Sequence, residues 1–195
     1  MKTHIDYSSP KVQISLETLG CETLSKKNRL RAVLRREVLP SAVLREFMLI
    51  QAEFVLSLYE KPDHRYVRAV RETRKYSAKR DVYKLLGYPP EFITPPYGHA
   101  PRLTYFIVRD ATSRRLPHVV TDAVLHVGTV YEELTLGTVT AGSYLQSAPD
   151  IDELVFTAQC AVLEMLLTPQ ESYKKIRKGY VRKRRLNRRK FFGKK

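Results

Sequence analysis

The last 22 residues, Lys174 to Lys195, read KKIRKGYVRKRRLNRRKFFGKK and carry 13 of the chain's 35 lysines and arginines with no Asp or Glu. A segment this cationic repels itself and cannot build a core of its own. It is ordered most cheaply against a polyanion, because each cation that neutralises a phosphate releases condensed counterions. Eleven of the thirteen fall in three clusters: Lys174, Lys175, Arg177 and Lys178; then Arg182, Lys183, Arg184 and Arg185; then Arg188, Arg189 and Lys190, with Lys194 and Lys195 beyond them. Tyr173, Tyr180, Phe191 and Phe192 are interleaved with them. Guanidinium forks suit phosphate and aromatic rings can stack on exposed bases, so this spacing points to nucleic acid. The competing readings are a nuclear-import signal and contact with an acidic membrane or protein surface.

The remaining 173 residues must therefore supply the fold. With 43% hydrophobic residues over 195 positions, they suffice for one domain with extensions or for two small ones. Charge is distributed unevenly. Residues 1–20 are neutral, 21–120 carry +10, 121–170 carry −7 and 171–195 carry +12, which sums to the net +15. A basic front, an acidic centre and a basic tail argue against a uniform positive coat. The acidic centre reads as a surface facing other proteins, or as a dock for the chain's own tail or a neighbour's basic segment before nucleic acid arrives.

Local patterns divide the chain into five stretches. Residues 1–20 read as an extended segment, because Val12, Ile14 and Leu16 alternate with Gln13, Ser15 and Glu17. Residues 21–87 read as a basic helical region. Ser25 is placed to cap a first helix, Pro40 breaks it, Ser41 to Tyr59 is apolar over more than half its circumference, and Asp63 can cap a third helix. A fourth helix near 78–86 would end at Gly87. Residues 88–101 hold five prolines in 14 positions and read as an extended connector and domain boundary. Residues 102–170 read as an α+β region: LTYFIV at 103–108 and the β-branched run 119–140 suggest three or four antiparallel strands, followed by a helix over 150–167. Residues 171–195 form the basic helix and tail, opened by the Thr168-Pro169-Gln170-Glu171 start signal. The expected fold class is α+β: a helical N-terminal half, a Pro-rich connector, a small mostly antiparallel sheet, and one or two C-terminal helices with a basic tail.

A second cationic patch lies in the helical front. Residues 61–80 carry eight cations and two acids, and Arg68, Arg71 and Lys75 share a helix face at 3- and 4-residue spacing. Arg65, Arg74, Lys79 and Arg80 extend the field around them. Two cationic segments far apart in one chain suit a protein wedged between nucleic-acid segments.

Catalytic and metal signatures are missing from the sequence. Of His4, His64, His99, His118 and His126, none falls in an HExxH or HxH pattern. Glu132 and Glu133 would point to opposite faces of a strand. There is no glycine-rich phosphate loop and no GxSxG. No catalytic residue, metal ligand or cofactor is therefore assigned. Cys21 and Cys160 stand far apart outside any CxxC context, which favours reduced thiols and an intracellular, reducing compartment. No run of 18 apolar residues exists, so membrane insertion is not expected. The N-terminus has neither an apolar leader nor an Arg-rich presequence, which leaves cytoplasm and mitochondrion both open.

In composition, a compact α+β body with a basic Arg/Lys/Tyr extension and no catalytic signature is similar to many ribosomal proteins. The expected function is that of a non-enzymatic RNA-binding structural component of a large ribonucleoprotein. Its partners would be structured ribosomal RNA and neighbouring proteins of the particle. The alternative is a viral structural protein of nucleocapsid or matrix type, with the tail on the genome and the body self-assembling.

Overall fold

Pro10 sits at the start of a helix, not in a strand. The computed structural model describes residues 5–35, 37–76, 85–87, 99–113, 124, 126–136 and 149–169. Among them are seven helices and no β-strand, so the α+β class with its antiparallel sheet is overturned: the described protein is all-helical. The helices are α1 (Pro10–Leu19), α2 (Lys26–Val33), α3 (Ser41–Ser57), α4 (His64–Tyr76), α5 (Ala100–Thr112), α6 (Val127–Leu136) and α7 (Pro149–Leu167).

Three corrections follow from competition between two periods. In α1, Ser9 supplies an extended N-cap backbone and Pro10 a preset first turn. Val12, Ser15 and Leu19 are buried at i, i+3 and i+7, whereas Ile14, a member of the alternating set, is 53% exposed. In α5, the LTYFIV run is rich in strand formers, yet Leu103, Thr104, Ile107, Val108 and Ala111 are buried at helical spacing. Intrinsic preferences of this kind span about 1 kcal/mol and yield to packing. Ala100 and Pro101, read as the end of the connector, form the first turn of α5. In α6, Val127 and Val130 are buried at i and i+3, and Gly128 packs among them. The suggested helix at 78–84, the connector at 88–98, the runs 114–123 and 137–148, and the tail from 170 to 195 lie outside the described residues.

The other elements follow their signals. The Ser25 hydroxyl accepts from the Asn28 N–H at 3.3 Å. The Asp63 carboxylate accepts from the Arg65 N–H at 2.8 Å, capping α4. Gly87 adopts φ +70°, the left-handed conformation expected of a residue just past a helix end. α3 is the centre of the core, with Val43, Leu44, Phe47, Met48, Ala52 and Val55 all fully buried. It packs against α4, α5, α6 and α7. α7 packs against α1, α2, α3 and α6, and α5 against α3, α4 and α6. Helices from before and after residues 88–98 therefore share one core.

Polar groups tie the helices together. Gln159 of α7 donates from Nε2 to Gln51 Oε1 of α3 at 3.0 Å and to the Val124 carbonyl at 3.2 Å. Arg45 of α3 donates to the Ala111 and Ser113 carbonyls, satisfying the end of α5. Glu133 of α6 accepts from the Ala100 N–H at 2.6 Å and so caps the start of α5.

Candidate nucleic-acid interface

α4 is amphipathic because its sequence alternates apolar and cationic residues at helical spacing. Tyr66, Ala69, Val70 and Thr73 are buried against the bundle. The opposite face presents His64, Arg68, Arg71 and Lys75, all exposed. The three sequence-predicted cations of this helix are thus brought onto one solvent-facing strip about two turns long. Arg68 and Arg71 make no ion pair with any of the described residues.

Their neighbours behave differently. Arg74 donates from Nε and Nη2 to the two oxygens of Glu53, at 2.5 and 2.8 Å, and from Nη1 to Glu46 at 2.5 Å. Those hydrogen bonds, to Glu53 above all, raise its pKa further above the ordinary guanidinium value. Arg65 pairs with Asp63, Nη2 to Oδ2 at 2.6 Å, and its guanidinium lies 5.9 Å from the Tyr66 ring centre. The bond from Arg65 holds the Asp63 carboxyl below its usual range. Two of the four cations expected to extend the α4 field are therefore engaged within the bundle. The other two, Lys79 and Arg80, lie outside the described residues. So do Lys174, Lys175, Arg177, Lys178, Tyr180, Arg182, Lys183, Arg184, Arg185, Arg188, Arg189 and Lys190.

Beside the N-terminal turn of α4, a groove of about 590 Å³ opens towards α5. Tyr59, Pro62, Asp63, Arg65, Tyr66 and Thr104 are among its walls. The Tyr59 hydroxyl shares a hydrogen bond with Thr104 at 2.9 Å, and burial raises its pKa. Burial likewise pushes the Tyr66 phenol up to about 12, so both stay protonated and neutral at physiological pH.

The acidic centre is divided between the bundle and solvent, with Asp150, Glu153 and Glu164 exposed. Glu132 is buried, Glu133 caps α5, and Glu153 pairs with Lys26 at 2.7 Å. No cluster of three or more His, Cys, Asp or Glu among the described residues could hold a metal. Cys21 and Cys160 are both free, and burial raises the Cys160 thiol to about 11. No helix among the described residues is long and apolar enough to cross a membrane.

A strand reading also hid cations on α5. It would place Arg102 and Phe106 on one face and Arg109 on the other, whereas the helix gathers all three on one side. The only sequence signal for this was Pro101, which fits a helix start as well as it ends a connector.

Among the described residues, the fold and the site define a helical bundle with an exposed basic helix face. Comparison with protein-family models, curated proteins and solved structures finds no match to this chain.

Proposed function

We propose that the protein is a non-enzymatic RNA-binding component of a large ribonucleoprotein, of ribosomal type, which joins separate RNA segments through α4 and the C-terminal tail. One observation carries the reading: α4 divides its arginines. Arg65 and Arg74 are held by carboxylates, whereas Arg68 and Arg71 project into solvent with no ion pair among the described residues. Cations left in solvent on a rigid helix are pre-organised for phosphate. The tail adds 13 cations and no acid from a distant part of the chain. The apolar body would face neighbouring proteins of the particle. Structured ribosomal RNA is the proposed ligand, in an intracellular, reducing compartment, cytoplasmic or mitochondrial.

The test is the salt dependence of affinity for a structured RNA, measured on the full chain. Arg68→Ala/Arg71→Ala/Lys75→Ala and Arg182→Ala/Lys183→Ala/Arg184→Ala/Arg185→Ala should each flatten the slope of log affinity against log salt by about 0.7–0.9 for every phosphate left without its cation. Unchanged slopes in both variants would refute the reading. Crosslinking in cells should recover one dominant structured RNA. Genome-wide contacts together with symmetric homo-oligomers would instead favour the viral structural role.

A further inference from the structure

α5 leaves one strip of its surface partly open to solvent, with Arg102 and Phe106 half-buried and Arg109 exposed. From Arg102 to Thr112, every residue is buried except Arg102, Phe106 and Arg109, which follow i, i+4 and i+7. The Phe106 ring is flanked by both guanidiniums, Arg102 at 5.6 Å and Arg109 at 4.8 Å from the ring centre. Asp110, whose side chain is 10% exposed, accepts from Arg109 Nε and Nη2 at 2.9 and 2.8 Å and so fixes the plane of that guanidinium. Phe106 meets Tyr105 edge-on at 5.5 Å, Tyr105 meets Tyr66 of α4 edge-on at 6.2 Å, and Arg65 lies over Tyr66. A ladder of rings and guanidiniums thus links the strip to the first turn of α4, next to His64 and the Arg68 face.

This chemistry differs from that of α4. Arg68, Arg71 and Lys75 present charge to phosphate with no aromatic residue among them. Arg102, Phe106 and Arg109 offer flat surfaces, an aromatic ring and two planar cations, on which a nucleobase can stack. A duplex keeps its bases inside and can use only the charges, whereas an unpaired strand can use the planes as well. We propose that the Arg102–Phe106–Arg109 strip binds unpaired nucleotides of the RNA whose backbone lies along α4, stacking bases on Phe106 and the flanking guanidiniums. This rests on the RNA-binding reading above.

The chain contains no tryptophan, so Phe106→Trp creates a single fluorescent reporter. In the full chain, a single-stranded RNA oligonucleotide should quench that indole, and a blunt duplex of the same length should not. Phe106→Leu, which keeps an apolar side chain in place, and Arg102→Ala/Arg109→Ala should each weaken single-strand binding about tenfold, the scale of one base stack. Duplex affinity should be unchanged in Phe106→Leu, and Arg102→Ala/Arg109→Ala, which also removes two charges, should weaken the duplex less than the single strand. If the indole is unaffected by the single strand, or if these variants bind it like wild type while Arg68→Ala/Arg71→Ala weakens both RNAs, the strip is not a stacking site and the α4 reading stands. If wild type binds neither RNA, the α4 reading fails and the strip with it.

Discussion

Replacing Arg74 by Ala separates a structural arginine from a binding one. The guanidinium makes three charge-assisted hydrogen bonds to Glu53 and Glu46, two of them bidentate, and thereby ties α4 to α3. The side chains are 33% exposed at Arg74, 40% at Glu46 and 46% at Glu53, so water screens the interaction. Exposed pairs contribute about 0.2–1 kcal/mol each, and the bidentate geometry places these two ion pairs together at about 1 kcal/mol. Removal leaves the two carboxylates able to hydrate, so no penalty for a stranded buried charge is added. In a chain of 195 residues, a destabilisation of about 1 kcal/mol lowers the unfolding midpoint by about 2–4 °C. Circular dichroism melts at low and high salt should show that drop, and salt should shrink it. A double-mutant cycle with Glu53→Gln should show coupling, and Arg74→Lys should recover only part of the loss, because an ammonium cannot span both oxygens. Arg71→Ala should do the reverse: stability within about 0.5 kcal/mol of wild type, with a flatter salt slope for RNA. If Arg74→Ala melted like wild type and flattened that slope as much as Arg71→Ala, the division of the α4 arginines would be wrong.

Leu44→Ala should cost about 2–5 kcal/mol in denaturant unfolding, since Leu44 is fully buried on the central helix. Phe54 lies on the same helix but is 38% exposed and stacks on Tyr131 at 6.2 Å, so Phe54→Ala should cost clearly less, and equal losses would mean that α3 is oriented wrongly. Gly87→Ala should cost about 1–2 kcal/mol, because φ is +70° and a Cβ there would come within 3.1 Å of the Arg65 guanidinium; a neutral substitution would contradict the turn. Asp63→Ala should lose about 1 kcal/mol at neutral pH through the α4 cap. The Asp63 carboxyl is held below its usual value by the Arg65 hydrogen bond, so its contribution is present above the unfolded-state pKa of about 3.9 and is lost as pH falls through the folded value. The gap between wild type and variant should therefore close in acid, and a gap that persisted there would assign the loss to packing instead.

What the sequence made legible follows from which signals had no rival. Ser25, Pro40 and Asp63 have one conformational use each where they stand, and α2, α3 and α4 begin where they placed them, although α2 ends at Val33, well short of Pro40. α1, α5 and α6 were misread because their residues fit two periods. Val12 and Leu16 serve an alternating strand and a helical stripe equally well, and only Ser15, small enough to be buried with its hydroxyl bonded to the Lys11 carbonyl at 2.7 Å, breaks the tie. In α5, five of the six residues of LTYFIV are buried as a helix because α3, α4 and α6 enclose that segment on three sides. That enclosure is a tertiary fact, invisible within a window of six residues.

The charge of the site was legible only as a total. Residues 21–120 carry +10, but the fold commits several of those cations before any ligand arrives. Arg29 donates to the Leu24 and Leu19 carbonyls at 2.8 and 3.1 Å, Arg45 to the end of α5, Arg65 to Asp63, and Arg74 to two glutamates. A guanidinium has five N–H donors in a fixed fork, which lets it brace loop and helix ends as readily as it grips phosphate. Counting arginines therefore overstates a binding surface in a small helical bundle, where helix ends need donors for their last carbonyls. Face position is the better guide. Arg68, Arg71 and Lys75 lie opposite the buried stripe of α4, whereas Arg74, six residues from Arg68, is rotated by two thirds of a turn towards α3 and meets its acids there. The same rule places Arg102 and Arg109 together on α5, away from its buried residues, with Arg109 already paired to Asp110.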